Sequence, residues 1–366
     1  MKVGIITFHS VLNYGAMLQA YALAEKISDM GHSCEIIDYK SDFFEKQYRP
    51  IQLKEIRHVR GFIKSLFMVR ANMKFHNEVA YFCYNKMRIT KKKYVRNNIS
   101  SCVDDYDVII VGSDQVWNMD VNGDDTTFLL DFVEDDNKRV SYAASISMKT
   151  LEKENRELIQ KQLKHYRAIS VRETDAKELV EEMTGKNVFV TLDPTLLLDR
   201  KKWMDFSSDN DAEDYILLYM MSVDHNLCKY ATELSQRKGI PVKYVSLYEP
   251  RADGCEMIFA PSVVDWVNLY RNAKYVITNS FHGMAFSIIF HKQFVYGLSV
   301  DKGKNTRLSS LLNQIGIENR AVDYSDLGKI DNLIDYDSVE KRLTELRNAS
   351  ETYLHMVLNE SGKEEK

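Results

Sequence analysis

A chain of 366 residues with 45% hydrophobic content is long enough to bury two cores, which sets the expectation of two domains. Its net charge of -4 gives no global attraction to nucleic acid or to a membrane, so no nucleic-acid partner is expected. The five cysteines are odd in number and scattered, with no C-x-x-C pair and no histidines at zinc spacing; they read as reduced thiols, with neither a disulfide framework nor a metal.

The amino terminus, "MKVGIITFHS", has one lysine and an apolar run too short for a secretory signal, and it reads as a first strand. The longest apolar stretch, Tyr215 to Met221, is far below the roughly 18 residues that span a bilayer. A cytoplasmic protein is expected, with peripheral contact at the inner face of the membrane left open.

Lys2 to Phe8 is a buried-strand run, Ala16 to Ser28 has helical spacing, and Cys34 to Tyr39 is apolar again, which makes a βαβ unit. Its first loop, "HSVLNYGA", lacks the G-x-G-x-x-G of dinucleotide binding. Strand patterns recur at Val108 to Val111, Val140 to Ala143, Ala168 to Val171 and Val188 to Thr191, with helical stretches at Leu151 to Leu163 and Thr174 to Met183. The alternation predicts a mostly parallel sheet covered by helices.

The acidic run "SSDNDAED" is the best linker candidate. A second series follows: strands at Tyr215 to Met220, Val242 to Leu247, Tyr275 to Thr278 and Phe294 to Leu298, with helices at His225 to Lys238 and Val263 to Arg271. The expected domains are therefore residues 1–207, residues 208–336, and a closing helix with a frayed tail over 337–366. Between Arg49 and Arg96, thirteen basic residues face only Glu55 and Glu78, with Phe62, Ile63, Leu66, Phe67, Met68 and Val69 among them. This is either a helical insertion packed on the first domain or a surface for an anionic membrane or a lipid-linked substrate.

Open α/β sheets bind ligands beyond the carboxyl ends of their strands. The segments to inspect are "HSVLNYGA", "GSDQVWN", "SYAASIS", "VRET", "LDPT" and "TNSFHG". In the last of these His282 sits where a helix begins, as a cap or as a functional group beside unpaired backbone N–H groups that suit an anion.

Taken in order, "NYGAMLQAYAL", "VGSDQVWN", "SYAASI", "ISVRE", "LDPTLLL" and "TNSFHG" resemble the polysaccharide pyruvyl transferase family, from the first loop to about residue 312. The resemblance implies two Rossmann-like domains facing across a cleft, in the manner of glycosyltransferase-B enzymes, with an acceptor side in the first and a donor side in the second. It also implies transfer of the enolpyruvyl skeleton of phosphoenolpyruvate to two hydroxyls of one sugar, giving a pyruvate ketal and phosphate. The expected partners are phosphoenolpyruvate and a sugar of a cell-surface polysaccharide or its precursor, with a lipid-linked form left open; no cofactor and no metal are expected.

That chemistry needs cations for a phosphate and a carboxylate, an acid for the enol carbon and a base for the hydroxyl. His282 matches the family histidine and is the expected acid, since its ordinary pKa lies near neutrality. Arg172 resembles the family arginine that grips the donor; alone, it is equally a strand-end arginine paired with Glu173 or Asp175. Asn279, Ser280 and Gly283 complete the donor hinge. Several members carry an arginine where this chain has Ser280, so Arg307 is the expected replacement cation. Asp114 is either the hydroxyl base or a helix cap. Asn13, Tyr14, Gln19, Gln115 and Trp117 are the expected acceptor-binding residues, through ring stacking and amide hydrogen bonds. Asp193, before Pro194, reads as a structural turn. Two alternatives stay open: a nucleotide-sugar glycosyltransferase, for which Asp105-Tyr106-Asp107 offers a loose D-x-D, and a carbohydrate-binding relative that has lost the donor chemistry.

Overall fold

The computed structural model describes residues 1–48, 59–146, 153–208, 213–246, 254–298, 302–322, 326 and 328–359, with the side chains of 59–71, 153–154 and 302–308 outside the description. In chain order, the first elements are β1 (Lys2–Ile6), α1 (Tyr14–Asp29), β2 (Ser33–Tyr39), α2 (Asp42–Gln47), α3 (Val59–Lys86), β3 (Ile89–Tyr94), β4 (Val108–Asp114) and α4 (Met119–Asn122). Next come β5 (Arg139–Ala144), α5 (Lys153–Leu163), β6 (Ile169–Val171), α6 (Thr174–Thr184) and β7 (Val188–Val190). The rest comprises α7 (Arg200–Phe206), β8 (Ile216–Tyr219), α8 (His225–Lys238), β9 (Val242–Ser246), β10 (Glu256–Phe259), α9 (Val263–Asn272) and β11 (Tyr275–Thr278). It closes with α10 (Phe281–Ile289), β12 (Gln293–Gly297), α11 (Lys302–Ile315), β13 (Ala321–Val322) and α12 (Tyr336–Asn359).

Two compact units result. Unit 1 gathers Met1–Tyr48, Cys83–Leu198 and the chain from Lys341 on; unit 2 gathers Asp199–Glu340 with α3 up to Phe82. Unit 1 holds a parallel sheet in the order β3-β2-β1-β4-β5-β6-β7, and unit 2 one in the order β10-β9-β8-β11-β12-β13. Both are doubly wound, with the first strand of each series central and the order reversing between β1 and β4 and between β8 and β11.

The sequence explains the burial. Val108 to Val111 and Ile216 to Tyr219 are continuous apolar runs because helices cover both faces of a parallel sheet. Fully burying each such side chain stabilises by about 1.5–3 kcal/mol. The carboxyl half of α12 belongs to unit 1: Tyr353 Oη donates to the Ser141 carbonyl (2.7 Å), Leu192 N donates to Ser350 Oγ (3.0 Å) and Arg347 Nε to the Leu196 carbonyl (2.7 Å).

One element departs from the expected helical insertion. Residues 89–94, "ITKKKY", form β3, the edge of the unit 1 sheet, with Lys91, Lys92 and Lys93 exposed. Lysines on an edge strand stop it from pairing with another chain. Residues 49–58 and the side chains of Phe62, Ile63, Leu66, Phe67, Met68 and Val69 lie outside the description, and with them most of the expected membrane-contacting surface. Among the described residues no helix is long and apolar enough to cross a membrane.

Candidate functional site

In doubly wound sheets the crevice for a ligand opens at the carboxyl ends of the strands where the order reverses. In unit 2 the segment at that position after β11 is the hinge 278–283. Asn279 spans the reversal: its Oδ1 accepts from Met221 N (2.8 Å) and its Nδ2 donates to the Ser222 carbonyl (2.8 Å), joining the hinge to the loop after β8. Ser280 is the N-cap of α10, its Oγ accepting from Gly283 N at 3.2 Å. His282 lies on the first turn of α10, buried, with its ring edge-on to Phe281 at 5.3 Å. Gly283 is dictated by space, since a Cβ there would lie 2.4 Å from Thr278 Oγ1 and 2.7 Å from Tyr270 Oη.

In unit 1 the reversal lies between β1 and β4. Asp114 ends β4 with φ +62°, a left-handed conformation that aspartate tolerates better than most residues. Its carbonyl accepts from Val116 N (2.8 Å) and Ser145 N (3.0 Å), which fixes the turn. Arg172, just past β6, points into this edge and is buried. Its Nη1 donates to Asp193 Oδ2 (2.8 Å), its Nε to Glu173 Oε1 (3.2 Å), and its Nη2 lies 3.9 Å from Asp114 Oδ1. Burial opposes the charge, yet the carboxylates of Glu173, Asp193 and Asp114 outweigh it and hold the guanidinium protonated far up the pH scale.

Asp193 is fixed in turn, its Oδ1 accepting from Thr195 N (3.0 Å) and Thr195 Oγ1 (2.7 Å) and its Oδ2 also from Ser113 Oγ (3.1 Å). One guanidinium thus serves three carboxylates. Asp114 has the most exposed carboxylate of the three.

The expected acceptor residues separate by burial. Asn13 caps α1, its Oδ1 accepting from Gly15 N (2.9 Å) and Ala16 N (3.3 Å). Gln115 accepts from Asn118 Nδ2 at 3.0 Å and is half-buried. Tyr14, Gln19 and Trp117 have no exposed surface: Gln19 Nε2 donates to Thr7 Oγ1 (2.8 Å) and the Ala16 carbonyl (2.9 Å), and the Trp117 indole packs edge-on to Tyr166 at 5.9 Å. A ring with no exposed face has none on which a sugar can stack.

A second polar cluster escaped the sequence reading. The His9 ring, following β1, bonds Asp38 Oδ1 through Nε2 (3.1 Å) and the Thr7 carbonyl through Nδ1 (3.2 Å). Lys40 Nζ meets the same Asp38 oxygen at 3.0 Å and donates to Ser10 Oγ at 3.2 Å, while Tyr84 Oη donates to Asp38 Oδ2 at 3.1 Å. Burial alone would raise the Asp38 carboxyl, but the His9 hydrogen bond and the Lys40 charge hold it well below the usual carboxylate range. The available signal was a histidine after one strand and "DYK" closing the next, both at carboxyl ends.

Asp105 and Asp107 lie before β4, at the amino edge of the unit 1 sheet, where Asp107 Oδ2 accepts from Lys2 N at 2.6 Å. That is the edge opposite the strand ends where ligands bind. Among the described residues no group of three histidine, cysteine or acidic side chains could hold a metal ion.

The sequence model of the polysaccharide pyruvyl transferase family matches residues 13–302. This chain belongs to that family. The match covers the turn at Asp114 and the hinge 278–283, and membership makes this protein a transferase with a polysaccharide acceptor. No curated protein matches the sequence.

Among solved structures, this chain is similar to a UDP-N-acetylglucosamine 2-epimerase from Rickettsia bellii (11% identity, TM-score 0.55, covering 99% of this chain and 97% of that one). A UDP-GlcNAc 2-epimerase from Neisseria meningitidis bound to UDP-GlcNAc is similar at 12% identity and TM-score 0.52, covering 98% and 100%. An alpha-glucosyltransferase in complex with UDP and DNA gives 9% and 0.50, covering 97% and 95%. At these identities the likeness is one of fold, the two-domain Rossmann-like fold of glycosyltransferase-B enzymes.

The residue at the expected arginine position is a helix cap, Ser280. Arg307 falls in α11, but its side chain lies outside the described residues.

Proposed function

We propose that this protein transfers the enolpyruvyl skeleton of phosphoenolpyruvate to two hydroxyls of one sugar in a cell-surface polysaccharide or its precursor, releasing phosphate. The observation that carries this reading is His282 on the first turn of α10, directly past β11, with Ser280 holding the turn. The amino end of the helix adds partial positive charge beside it, which suits an anionic donor.

In the proposed reaction His282 protonates the methylene carbon of the donor, which becomes the ketal methyl group. A sugar hydroxyl adds to the neighbouring carbon, and Asp114 receives its proton. The carbon–oxygen bond to phosphate breaks with its electron pair leaving on phosphate, and the second hydroxyl adds to the same carbon. Of the two hydroxyl protons, one restores His282 and the other departs with phosphate. Asn279 and Gly283 shape the donor hinge, and Arg307 supplies the cation that Ser280 lacks. Arg172 positions Asp114, because its own charge is already shared among three carboxylates.

A nucleotide-sugar donor would draw on Asp105 and Asp107, and their place at the amino edge of the sheet speaks against it. The test is to offer phosphoenolpyruvate and UDP-sugars separately with a panel of glycosides. Phosphate release with phosphoenolpyruvate supports the proposal; consumption of a UDP-sugar, or sugar binding without any turnover, sinks it. We also propose peripheral contact with anionic membranes, since Lys86, Lys91, Lys92 and Lys93 of unit 1 are exposed. Sedimentation with anionic vesicles that persists in high salt, or fails in low salt, would contradict that electrostatic contact.

A further inference from the structure

A pyranose offers an apolar C–H face and a rim of hydroxyls, so its site needs an exposed aromatic ring with fixed polar groups beside it. The two aromatic residues expected to bind the acceptor, Tyr14 and Trp117, have no exposed surface. Among the described residues of unit 1, Tyr84 is the one well-exposed aromatic ring, at 46%. It is also pinned, because its hydroxyl donates to Asp38 Oδ2 at 3.1 Å.

The groups around that carboxylate have the required character. Asp38 and His9 are fully buried, and desolvating a carboxylate is costly unless it is well paired. The pair holds Lys40, whose side chain keeps 21% of its surface open and which spends one bond on Asp38 and one on Ser10. An ammonium has three N–H donors, so Lys40 retains one for a ligand. Lys93 Nζ lies 5.3 Å over the Tyr84 ring and brings a second ammonium within reach. Lys40 follows β2 and Ser10 follows β1, so both stand at the carboxyl edge where this fold takes ligands. Tyr84 and Lys40 carry the hydrogen bonding of the buried Asp38 carboxylate out to the surface.

We propose that Tyr84, Lys40 and Ser10 form a sugar subsite in unit 1, with the buried His9–Asp38 pair as its positioning device. The acceptor pyranose stacks on Tyr84 while Lys40 and Ser10 bond its hydroxyls. The proposal rests on the reading that the acceptor is a sugar, and it names the surface that takes it.

The test uses the full chain without phosphoenolpyruvate, with methyl galactoside, methyl glucoside and methyl mannoside as probes in saturation-transfer NMR. Wild type is expected to bind at least one probe, and Tyr84→Ala and Lys40→Met each to weaken it by about tenfold. Tyr84→Phe keeps the ring and retains part of the binding. Tyr84 is exposed and Lys40 is partly open, and circular dichroism and a melting curve unchanged from wild type show that folding is intact in each variant. Binding that survives both changes, or no binding of any probe by wild type, overturns the subsite. Because the assay contains no donor, the two readings separate. Sugar binding that maps to Tyr84 and Lys40 without phosphate release from phosphoenolpyruvate retains the subsite and removes the transferase chemistry. Turnover in Tyr84→Ala with an unchanged acceptor KM does the reverse.

Discussion

Arg172 and Asp193, both buried at the carboxyl edge of the unit 1 sheet, share a hydrogen-bonded ion pair of 2.8 Å. Removing the guanidinium would take this cation from two buried carboxylates, Asp193 and Glu173. Arg172→Ala is therefore expected to cost about 3–5 kcal/mol in urea unfolding. A guanidinium whose sole task was to grip the donor would leave stability unchanged and raise only the KM for phosphoenolpyruvate.

The hinge after β11 is sensitive to one methyl group. Gly283→Ala places a Cβ against Thr278 Oγ1 and Tyr270 Oη and is expected to cost about 1–3 kcal/mol. Ser280→Ala removes the α10 cap and costs about 1 kcal/mol. Thermal unfolding of the two variants measures both losses, and a Gly283→Ala protein as stable as wild type would mean that the hinge is not packed as described.

Lys292, half-buried just past α10, has its ammonium lowered to about 8 by burial first and then by the charges of Arg200 and Arg271. Its unfolded pKa is near 10.4, so between these pH values the unfolded chain binds the extra proton and stability rises with pH. Below pH 8 the folded state carries the full penalty. Lys292→Met is expected to stabilise at pH 7 by about 1–3 kcal/mol, with the gain vanishing towards pH 10.5. A melting difference that does not depend on pH would refute this.

Arg307→Ala tests the replacement cation directly. Losing one charged hydrogen bond to the donor should raise the KM for phosphoenolpyruvate by about tenfold or more, with the acceptor KM unchanged. An unchanged donor KM would assign the missing charge elsewhere.

Much of this was legible in the sequence because apolar runs mark strands buried on both faces. Val108 to Val111, Val242 to Leu247 and Tyr275 to Thr278 read that way and coincide with β4, β9 and β11, with Leu247 outside the described residues, and His225–Lys238 matches its helical spacing end to end. The edge strand β3 was not legible, since exposed lysines on "ITKKKY" hide the pattern that burial writes into a central strand. The polar clusters were harder. Arg172 meets Asp193 across 21 residues, and His9 meets Asp38 across 29, pairings fixed by strand order and not by spacing. Tyr84 lies further still, 46 residues from Asp38. Motif aromatics drew attention to Tyr14 and Trp117, which the fold uses as core.

The central claim is protonation of the donor methylene by His282, and carrying out the reaction in heavy water tests it most directly. With phosphoenolpyruvate and an accepted glycoside, the ketal methyl group should carry one deuterium, and one phosphate should appear per ketal. His282→Asn should slow this by about 10²–10⁴-fold while leaving the melting curve in place. A product that retains its vinyl group, a methyl group without deuterium, or His282→Asn turnover at the wild-type rate would contradict the account.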